Sequence, residues 1–259
     1  MIKPAVYRFE EVGSTNDIAL AMARSGAPEG TVVIARSQTK GRGRRGRNWH
    51  SKPDESVIMS VILRPDLPVS RHSELAFAAG VAMAECLQHK CGLRPVLKWP
   101  NDVLVNGRKI AGILIESERR AAIVGIGVNV LQDSFPDDIA ATATSVAREW
   151  ASAPPARSSE ERAYRRAAGE PQRPDLDIET IAAVILEHLF AACVLPFEEV
   201  LERWRKYMWG LGRSVDVVTE DQTISGKISG IDTDGALLID RGGIIRRIVA
   251  ADAVNVRTS

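Results

Sequence analysis

One short segment of the chain concentrates positive charge and glycine. The segment "KGRGRRGRNW" covers residues 40–49, and no acidic residue occurs between Arg36 and Lys52. Arginine binds carboxylates and phosphates through two parallel hydrogen bonds. Glycine lets the backbone approach an anion and donate its own N–H groups. The segment therefore predicts a clamp for a small carboxylated or phosphorylated ligand, formed by Gly41, Arg42, Gly43, Arg44, Arg45, Gly46 and Arg47.

A patch that binds RNA or DNA is the alternative interpretation of the same segment. The whole chain is close to neutral, with 34 Lys and Arg against 33 Asp and Glu, so any basic function must be local. The segment is not a P-loop, because it lacks the GK[ST] element and no helix start follows it.

A second group of polar residues lies in "KWPND" (98–102) and "RKIAGILIE" (108–116). Asp102 is a candidate Mg²⁺ ligand, since Mg²⁺ is usually held by one or two carboxylates and by phosphates; a turn cap is the plainer alternative. Lys109 begins an apolar strand, so we expect its ammonium group to have few local partners. A surface lysine is the alternative there.

The segment "GIGVN" (125–129) places glycines inside an apolar strand. Such glycines indicate close approach by a ligand or by another backbone, or else a tight crossing of strands. The sequence shows no Ser-His-Asp or Cys-His pattern that would supply a nucleophile.

The elements that would position these residues follow from hydrophobic periodicity and turn residues. Ser14 or Thr15 is the predicted N-cap of a helix that ends at Gly26, and "NG" at 106–107 predicts a hairpin. Further helices are predicted at 71–91, 178–193 and 197–208. Strands are predicted at 6–9, 31–38, 56–63, 95–99, 102–105, 109–116 and 121–130.

Two domains are predicted. Residues 1–208 would form the ligand-binding domain, with a proline-rich surface insertion at about 148–174 that carries one helical stretch after Ser158. Residues 209–259 contain only short strands separated by glycines, which predicts a small β-barrel.

The three cysteines, Cys86, Cys91 and Cys193, have no CxxC spacing and are interpreted as reduced thiols. No run of about 18 apolar residues and no leader peptide are evident. We therefore expect a cytoplasmic protein that is not embedded in a membrane.

Taken together, these motifs are similar to one known family. In their order and spacing the chain resembles the biotin protein ligases, which attach biotin to a lysine of a carboxylase carrier domain. The resemblance covers most of residues 6–146 and returns in 178–257. Its motifs are "STN" (14–16), "SQTKGRGRRGRNW" (37–49), "KWPND", "RKIAGILIE" and "GIGVN".

The resemblance implies an α+β fold: a mixed sheet with helices like that of class II aminoacyl-tRNA synthetases, followed by an SH3-like barrel. It implies ATP and Mg²⁺ as cofactors, biotin as substrate and a biotin carboxyl carrier protein as acceptor. It also allows a homodimer. The chain would be a short form, because no DNA-binding domain precedes residue 6, and we expect no DNA partner. The insertion at 148–174 has no counterpart in the resemblance.

The resemblance also implies residue roles. The catalytic residues would be Lys109, Arg44 and Arg42, and the metal ligand Asp102. Biotin would be bound by Ser14, Thr15, Asn16, Gln38, Gly41, Arg42, Gly43, Arg44, Lys109 and Gly112. ATP would be bound by Arg44, Arg47, Trp49, Lys98, Asn101 and Asn129.

Two further expectations concern chemistry. A lipoate ligase of the same superfamily is the alternative enzyme, although the "GRGRRGR" segment favours biotin.

The arginines of residues 40–48 repel one another, and we expect the segment to lack packing partners and to be mobile until an anion binds.

Overall fold

The computed structural model describes residues 3–152, 177–219 and 222–249, and the backbone of 253–258. The α-helices of this part of the chain are α1 (Thr15–Arg24), α2 (Leu75–His89), α3 (Val146–Ser152), α4 (Ile178–Cys193) and α5 (Phe197–Lys206). The strands are β1 (Ala5–Val12), β2 (Thr31–Gln38), β3 (Ser56–Leu63), β4 (Pro95–Lys98), β5 (Asp102–Val105), β6 (Arg108–Glu118), β7 (Ala121–Asn129), β8 (Ser214–Thr219), β9 (Thr223–Ile231), β10 (Leu237–Asp240), β11 (Ile245–Ile248) and β12 (Ala253–Thr258).

A seven-stranded mixed sheet carries the predicted site. Its strand order is β1-β2-β3-β7-β6-β5-β4, and only the β1–β2 pair is parallel. Strand β3 is an interior strand and is buried along its whole length, which explains why its sequence is almost continuously apolar. Helix α2 packs across β4–β7, and α4 and α5 pack against α2. The predicted α+β fold is confirmed.

The two faces of this sheet have different residues. On β7, Ile126 and Val128 belong to the hydrophobic core, whereas the alternate positions Gly125, Gly127 and Asn129 face the other way. Helix α1 covers part of that second face through a small apolar cluster of Ala19, Ala23, Val33, Ile62, Ala121 and Ile123. The remainder of the second face is open to a cavity.

Strand β6 contains a β-bulge. Leu104 pairs with Lys109, but the next residue, Val103, pairs with Ala111, so Ile110 is the extra residue. In a regular strand Lys109 and Gly112 would lie on opposite faces. The bulge places both on the cavity face, while Ile110 and Ala111 are fully buried in the core.

A two-residue loop joins β5 to β6, as predicted. Asn106 and Gly107 both have positive φ, at 51° and 77°. Positive φ at both central positions is the requirement of a type I′ turn, and asparagine followed by glycine is the pair that meets it most readily. The hairpin holds the "KWPND" and "RKIAGILIE" segments side by side.

The C-terminal strands form a five-stranded antiparallel sheet in the order β11-β10-β9-β8-β12. Its buried residues, among them Val215, Ile228 and Leu237, belong to the same hydrophobic cluster as the larger sheet. At the junction, Trp99 Nε1 donates a hydrogen bond of 3.0 Å to the carbonyl oxygen of Gly235. The two sheets therefore share one core.

Some predicted boundaries were wrong. The helix expected at 71–91 begins with a 3₁₀ segment (Val69–Glu74) and is α-helical only over α2, and the one expected at 197–208 ends at Lys206. Residues 148–152 belong to helix α3 rather than to an insertion, because Glu149 is buried there and hydrogen-bonded. The rest of the predicted insertion lies outside the described residues. No described helix is both long and apolar enough to span a membrane.

Candidate active site

The open part of the sheet faces a cavity of about 650 Å³. Fifteen of the sixteen residues that the sequence predicted for the site line this one cavity, and Gly41 lies just outside its lining. The lining residues of that set are Ser14, Thr15, Asn16, Gln38, Arg42, Gly43, Arg44, Arg47, Trp49, Lys98, Asn101, Asp102, Lys109, Gly112 and Asn129.

The start of helix α1 forms one end of the cavity. Ser14 is the N-cap residue by its extended backbone, but its side chain makes no capping bond. Thr15 is buried, and its backbone N–H donates to Gln38 Oε1 at 2.7 Å. The Ser60 hydroxyl lies 2.7 Å from Thr15 Oγ1. These contacts hold a set of buried polar groups in fixed orientations, as recognition of a small polar ligand requires.

Asn16 lies next to Thr15 and is 3% exposed. Its Oδ1 accepts from Ser60 Oγ at 2.5 Å, and its Nδ2 donates to Glu116 Oε2 at 2.6 Å. A Cβ atom on Gly125 would collide with Asn16 Oδ1. Glycine at position 125 is therefore what lets the amide lie against the sheet.

The basic loop, residues 40–49, folds back on itself. Arg42 and Asn48 form an antiparallel bridge, the N–H of Trp49 donates to Gly41 O at 2.9 Å, and that of Gly43 donates to Arg47 O at 2.7 Å. Gly41 is required for this closure, because a Cβ there would stand 2.6 Å from Trp49 O. The expectation that the segment lacks packing partners was therefore wrong. Its mobility without ligand stays a prediction.

The two candidate catalytic arginines have different environments. Arg42 is ion-paired with Asp17 at 2.7 Å and with Glu116 at 3.2 Å, and the hydrogen bond to Asp17 is the main cause that raises the Arg42 pKa. Burial lowers the pKa of Arg44, and repulsion from Arg45 adds to this effect. A desolvated guanidinium interacts with an anion more strongly than a hydrated one.

The Trp49 ring lies against two glycines of the sheet. A Cβ on Gly127 would stand 2.6 Å from its ring, and one on Gly112 would stand 3.3 Å from it. The glycine pattern thus indicated close approach correctly, but the groups that approach in the described structure are side chains, Trp49 and Asn16. The indole Nε1 is buried and has no hydrogen-bond partner within the described protein, so it is an available donor.

Lys109 has a partner that its position at the start of an apolar strand did not reveal. Its Nζ lies 2.5 Å from Asp102 Oδ1 and 6.0 Å from the centre of the Trp49 ring. The expectation of few local partners was wrong because the bulge turns Lys109 towards the cavity face, where Asp102 also lies. The pair places a cation in the cavity wall.

The two asparagines of the predicted ATP set line the wall and also bind backbone. Asn101 Nδ2 donates to Ile113 O at 2.8 Å, and Asn129 Nδ2 donates to Thr144 O at 3.0 Å. Both amides therefore fix the geometry of β6 and of the segment that follows β7, whatever contact they make with a ligand.

Several residues near the cavity were not predicted. Ser60 is a lone hydroxyl inside the apolar run of β3, which was a usable signal. Glu116 ends the "RKIAGILIE" motif. Trp209 and Arg213 come from the junction with the C-terminal sheet and had no sequence signal. Lys98 Nζ lies 5.2 Å from the Trp209 ring centre, and Arg213 Cζ lies 5.9 Å from it.

Comparison with known proteins gives the class to which this fold and cavity belong. Residues 9–133 match the model of the Biotin/lipoate A/B protein ligase family, and residues 210–254 match the Biotin protein ligase C terminal domain.

Individual relatives show which family within this class the chain resembles. The chain is 33% identical over 248 residues to the biotin–[acetyl-CoA-carboxylase] ligase of Paracoccus denitrificans, covering 93% of this chain and 96% of that one. It is 37% identical over 248 residues to the bifunctional ligase/repressor BirA of Bacillus spizizenii, and the match covers 93% of this chain and 71% of that relative. The biotin protein ligase from Aquifex aeolicus, solved with biotin and ATP, superposes with a TM-score of 0.77 at 26% identity, covering 98% and 99%. The chain belongs to the biotin protein ligase family.

Proposed function

We propose that this protein activates biotin with ATP and transfers it to a lysine of a biotin carboxyl carrier protein. In the first step a carboxylate oxygen of biotin attacks the α-phosphorus of ATP, which forms biotinyl-5′-AMP and releases pyrophosphate. In the second step a neutral lysine amine attacks the activated carbonyl and AMP leaves. The observation that carries the proposal is that a buried polar end, several cations, among them Arg44 and Lys109, and the indole of Trp49 line one cavity.

The polar end suits the uncharged head of biotin. We propose that Ser14, Thr15, Asn16 and Gln38 bind the ureido group, since their amides and hydroxyls offer both donors and acceptors. The same set gives no reason to prefer lipoate, whose ring carries no ureido group.

The cations suit the charge that the first step brings together. A carboxylate and a phosphate repel each other, so the barrier is largely electrostatic, and preorganised positive groups lower it. We propose that Arg44 and Lys109 supply this field, with Gly112 leaving room for the Lys109 side chain. No enzyme nucleophile takes part.

We assign the nucleotide to the far side of the cavity, where Trp49, Asn129, Asn101, Lys98 and Arg47 line the wall. The buried Nε1 of Trp49 has no acceptor among the described residues, and a buried donor of that kind favours a ligand that accepts a hydrogen bond.

We further propose that Mg²⁺ accompanies ATP. Asp102 is the one carboxylate among the described residues of the lining, and the described residues form no cluster of three side chains that could hold a metal. A single carboxylate fits a Mg²⁺ ion that is held chiefly by phosphates. The ion would neutralise part of the negative charge of those phosphates. Asp102 would also keep Lys109 in place.

The remaining assignments are also proposals. We assign residues 1–208 to the catalytic domain and 209–259 to the SH3-like domain. Free thiols at all three cysteines suit a reducing compartment, so we propose a cytoplasmic location. A homodimer is compatible with these assignments.

Exchange of labelled pyrophosphate into ATP tests the proposed function directly. We expect exchange that depends on biotin and Mg²⁺, and none with lipoate. Exchange with lipoate alone would identify a lipoate ligase. Absence of exchange with either acid, combined with binding of DNA or RNA whose affinity falls steeply with salt, would favour the nucleic-acid alternative.

A further inference from the structure

Glu116 occupies the point where the basic loop meets the polar end of the cavity. Its Oε2 accepts from Asn16 Nδ2 at 2.6 Å, and both of its oxygens lie 3.2 Å from Arg42 Nη2. Asp17 accepts from the other terminal nitrogen of Arg42 at 2.7 Å. One carboxylate on β6 is therefore shared by the start of α1 and by a loop 74 positions away in sequence.

We propose that Glu116 is a positioning residue that locks the basic loop to the biotin end of the cavity, with Asp17 completing a two-carboxylate clasp on Arg42. The inference rests on the proposed function for its kinetic consequences but not for the clasp itself. Neither Glu116 nor Asp17 lines the cavity, so Glu116 acts through Asn16 and through Arg42.

The contact with Asn16 joins Glu116 to a buried amide. Asn16 is 3% exposed, so an unpaired amide hydrogen there could not be hydrated. Ser60 already binds Oδ1, and Glu116 binds Nδ2. Removing the carboxylate would leave a buried donor unpaired and free the amide to rotate away from the orientation that a ureido group would meet.

The contact with Arg42 explains how a segment rich in arginine can pack without a ligand. The side chains of Arg42 and Glu116 are 35% and 30% exposed, so their pairing is only partly screened by water. Arg42 is balanced by protein carboxylates, whereas burial lowers the pKa of Arg44. The clasp thus uses the Arg42 side chain to hold the loop against the sheet.

Four variants separate these two contacts. In Glu116→Gln the new amide oxygen can still accept from Asn16, but the charge that attracts Arg42 is gone. Glu116→Ala removes both contacts, and Asp17→Asn weakens only the clasp. Glu118→Gln is the matched control, because Glu118 lies on the same strand and loses a comparable ion pair with Arg24 at 2.7 Å, away from the loop.

Limited trypsin digestion without ligand measures the clasp, and the KM for biotin in pyrophosphate exchange measures the positioning of Asn16. We expect Glu116→Gln and Asp17→Asn to speed cleavage between residues 40 and 47 several-fold, with the KM for biotin within about twofold of wild type. Glu116→Ala should speed cleavage equally and raise the KM for biotin about tenfold, the loss of one charge-assisted hydrogen bond. Glu118→Gln should change neither.

Two results would overturn the proposal. Loop cleavage in Glu116→Gln no faster than in Glu118→Gln would show that the clasp does not hold the loop. A KM for biotin in Glu116→Ala equal to that of the control would show that Glu116 does not position Asn16. Because digestion needs no substrate, a wild-type protein without biotin-dependent exchange would contradict the proposed function and still leave the clasp testable.

Discussion

At the scale of single residues, the cavity depends on a few charges that the fold holds in fixed positions. Lys109 is the clearest of them, since a bulge turns it towards the cavity and Asp102 holds its ammonium group. An ammonium group placed this way needs no reorganisation when negative charge develops beside it.

Lys109→Ala should therefore lower the rate of biotin-dependent pyrophosphate exchange by at least about 100-fold, the usual cost of removing one preorganised charge or donor. The free energy of unfolding should change by no more than about 1 kcal/mol, because the Lys109 side chain is about one-third exposed and its ion pair is partly screened. Exchange kinetics and urea denaturation measure the two effects. Lys52→Ala is the control, because the Lys52 side chain is exposed and does not line the cavity. A soluble Lys109→Ala protein with near wild-type exchange would contradict the assignment.

The sequence predicted which residues line the cavity where a motif contains them, and fifteen of the predicted residues do line it. Their partners were not. Nothing in the local pattern shows that Arg42 pairs with Glu116 or that Ser60 lies against Asn16, because those pairs are joined only by the packing of α1 and the loop on the sheet.

At the scale of secondary-structure elements, β7 works as a surface on which side chains lie. Gly125 and Gly127 are two residues apart on the same face, yet they lie against different groups, Asn16 and Trp49. Neither glycine has positive φ, so an alanine at either position would be acceptable to the backbone.

Alanine at these two positions should therefore affect the two substrates differently. We expect Gly125→Ala to raise mainly the KM for biotin and Gly127→Ala to raise mainly the KM for ATP. Over-packing typically costs about 1–3 kcal/mol, or roughly 5- to 150-fold in affinity. Steady-state exchange with each substrate varied in turn measures both constants. Equal effects of both substitutions on both substrates would contradict the assignment of Asn16 to biotin and of Trp49 to ATP.

Most elements of the larger sheet were predictable because their residues carry local signals. The strands at 31–38 and 56–63 and the helix at 178–193 begin and end as the sequence predicted. The predicted start of the insertion was wrong, because the burial of Glu149 depends on contacts with Arg108 and Thr144. Arg108 is far from Glu149 in the sequence, and Thr144 carries no periodic signal.

At the scale of the whole molecule, the two sheets are joined through Gly235. Its φ is +84°, and a Cβ there would stand 2.8 Å from the Phe77 ring of helix α2. Phe77 packs in turn on Phe197 and Trp204, so the C-terminal sheet rests on the aromatic side chains that also support the larger sheet. The order of strands and this docking had no local sequence signal and were not predicted.

Gly235→Ala should destabilise the protein more than Gly242→Ala, its matched control. Gly242 also has positive φ, at +71°, but a Cβ there would meet nothing within 4 Å. Both substitutions carry the left-handed backbone cost of about 1–2 kcal/mol, and Gly235→Ala adds an over-packing cost of about 1–3 kcal/mol. Urea denaturation should show one cooperative transition in each case. Equal losses, or separate transitions for the two sheets, would argue against the shared core.

The bulge at Ile110 determines which positive side chain faces the cavity. Side chains of a regular strand alternate, so counting back by twos from Gly112 leads to Arg108 and not to Lys109. If the same residues formed a regular strand without the bulge, a planar guanidinium with five donors would face the cavity in place of a compact ammonium. As the strand stands, Arg108 instead reaches the buried Glu149 at 2.8 Å, and Lys109 faces the cavity. One irregular residue in the backbone thus selects between two neighbouring positive side chains with different geometries of recognition.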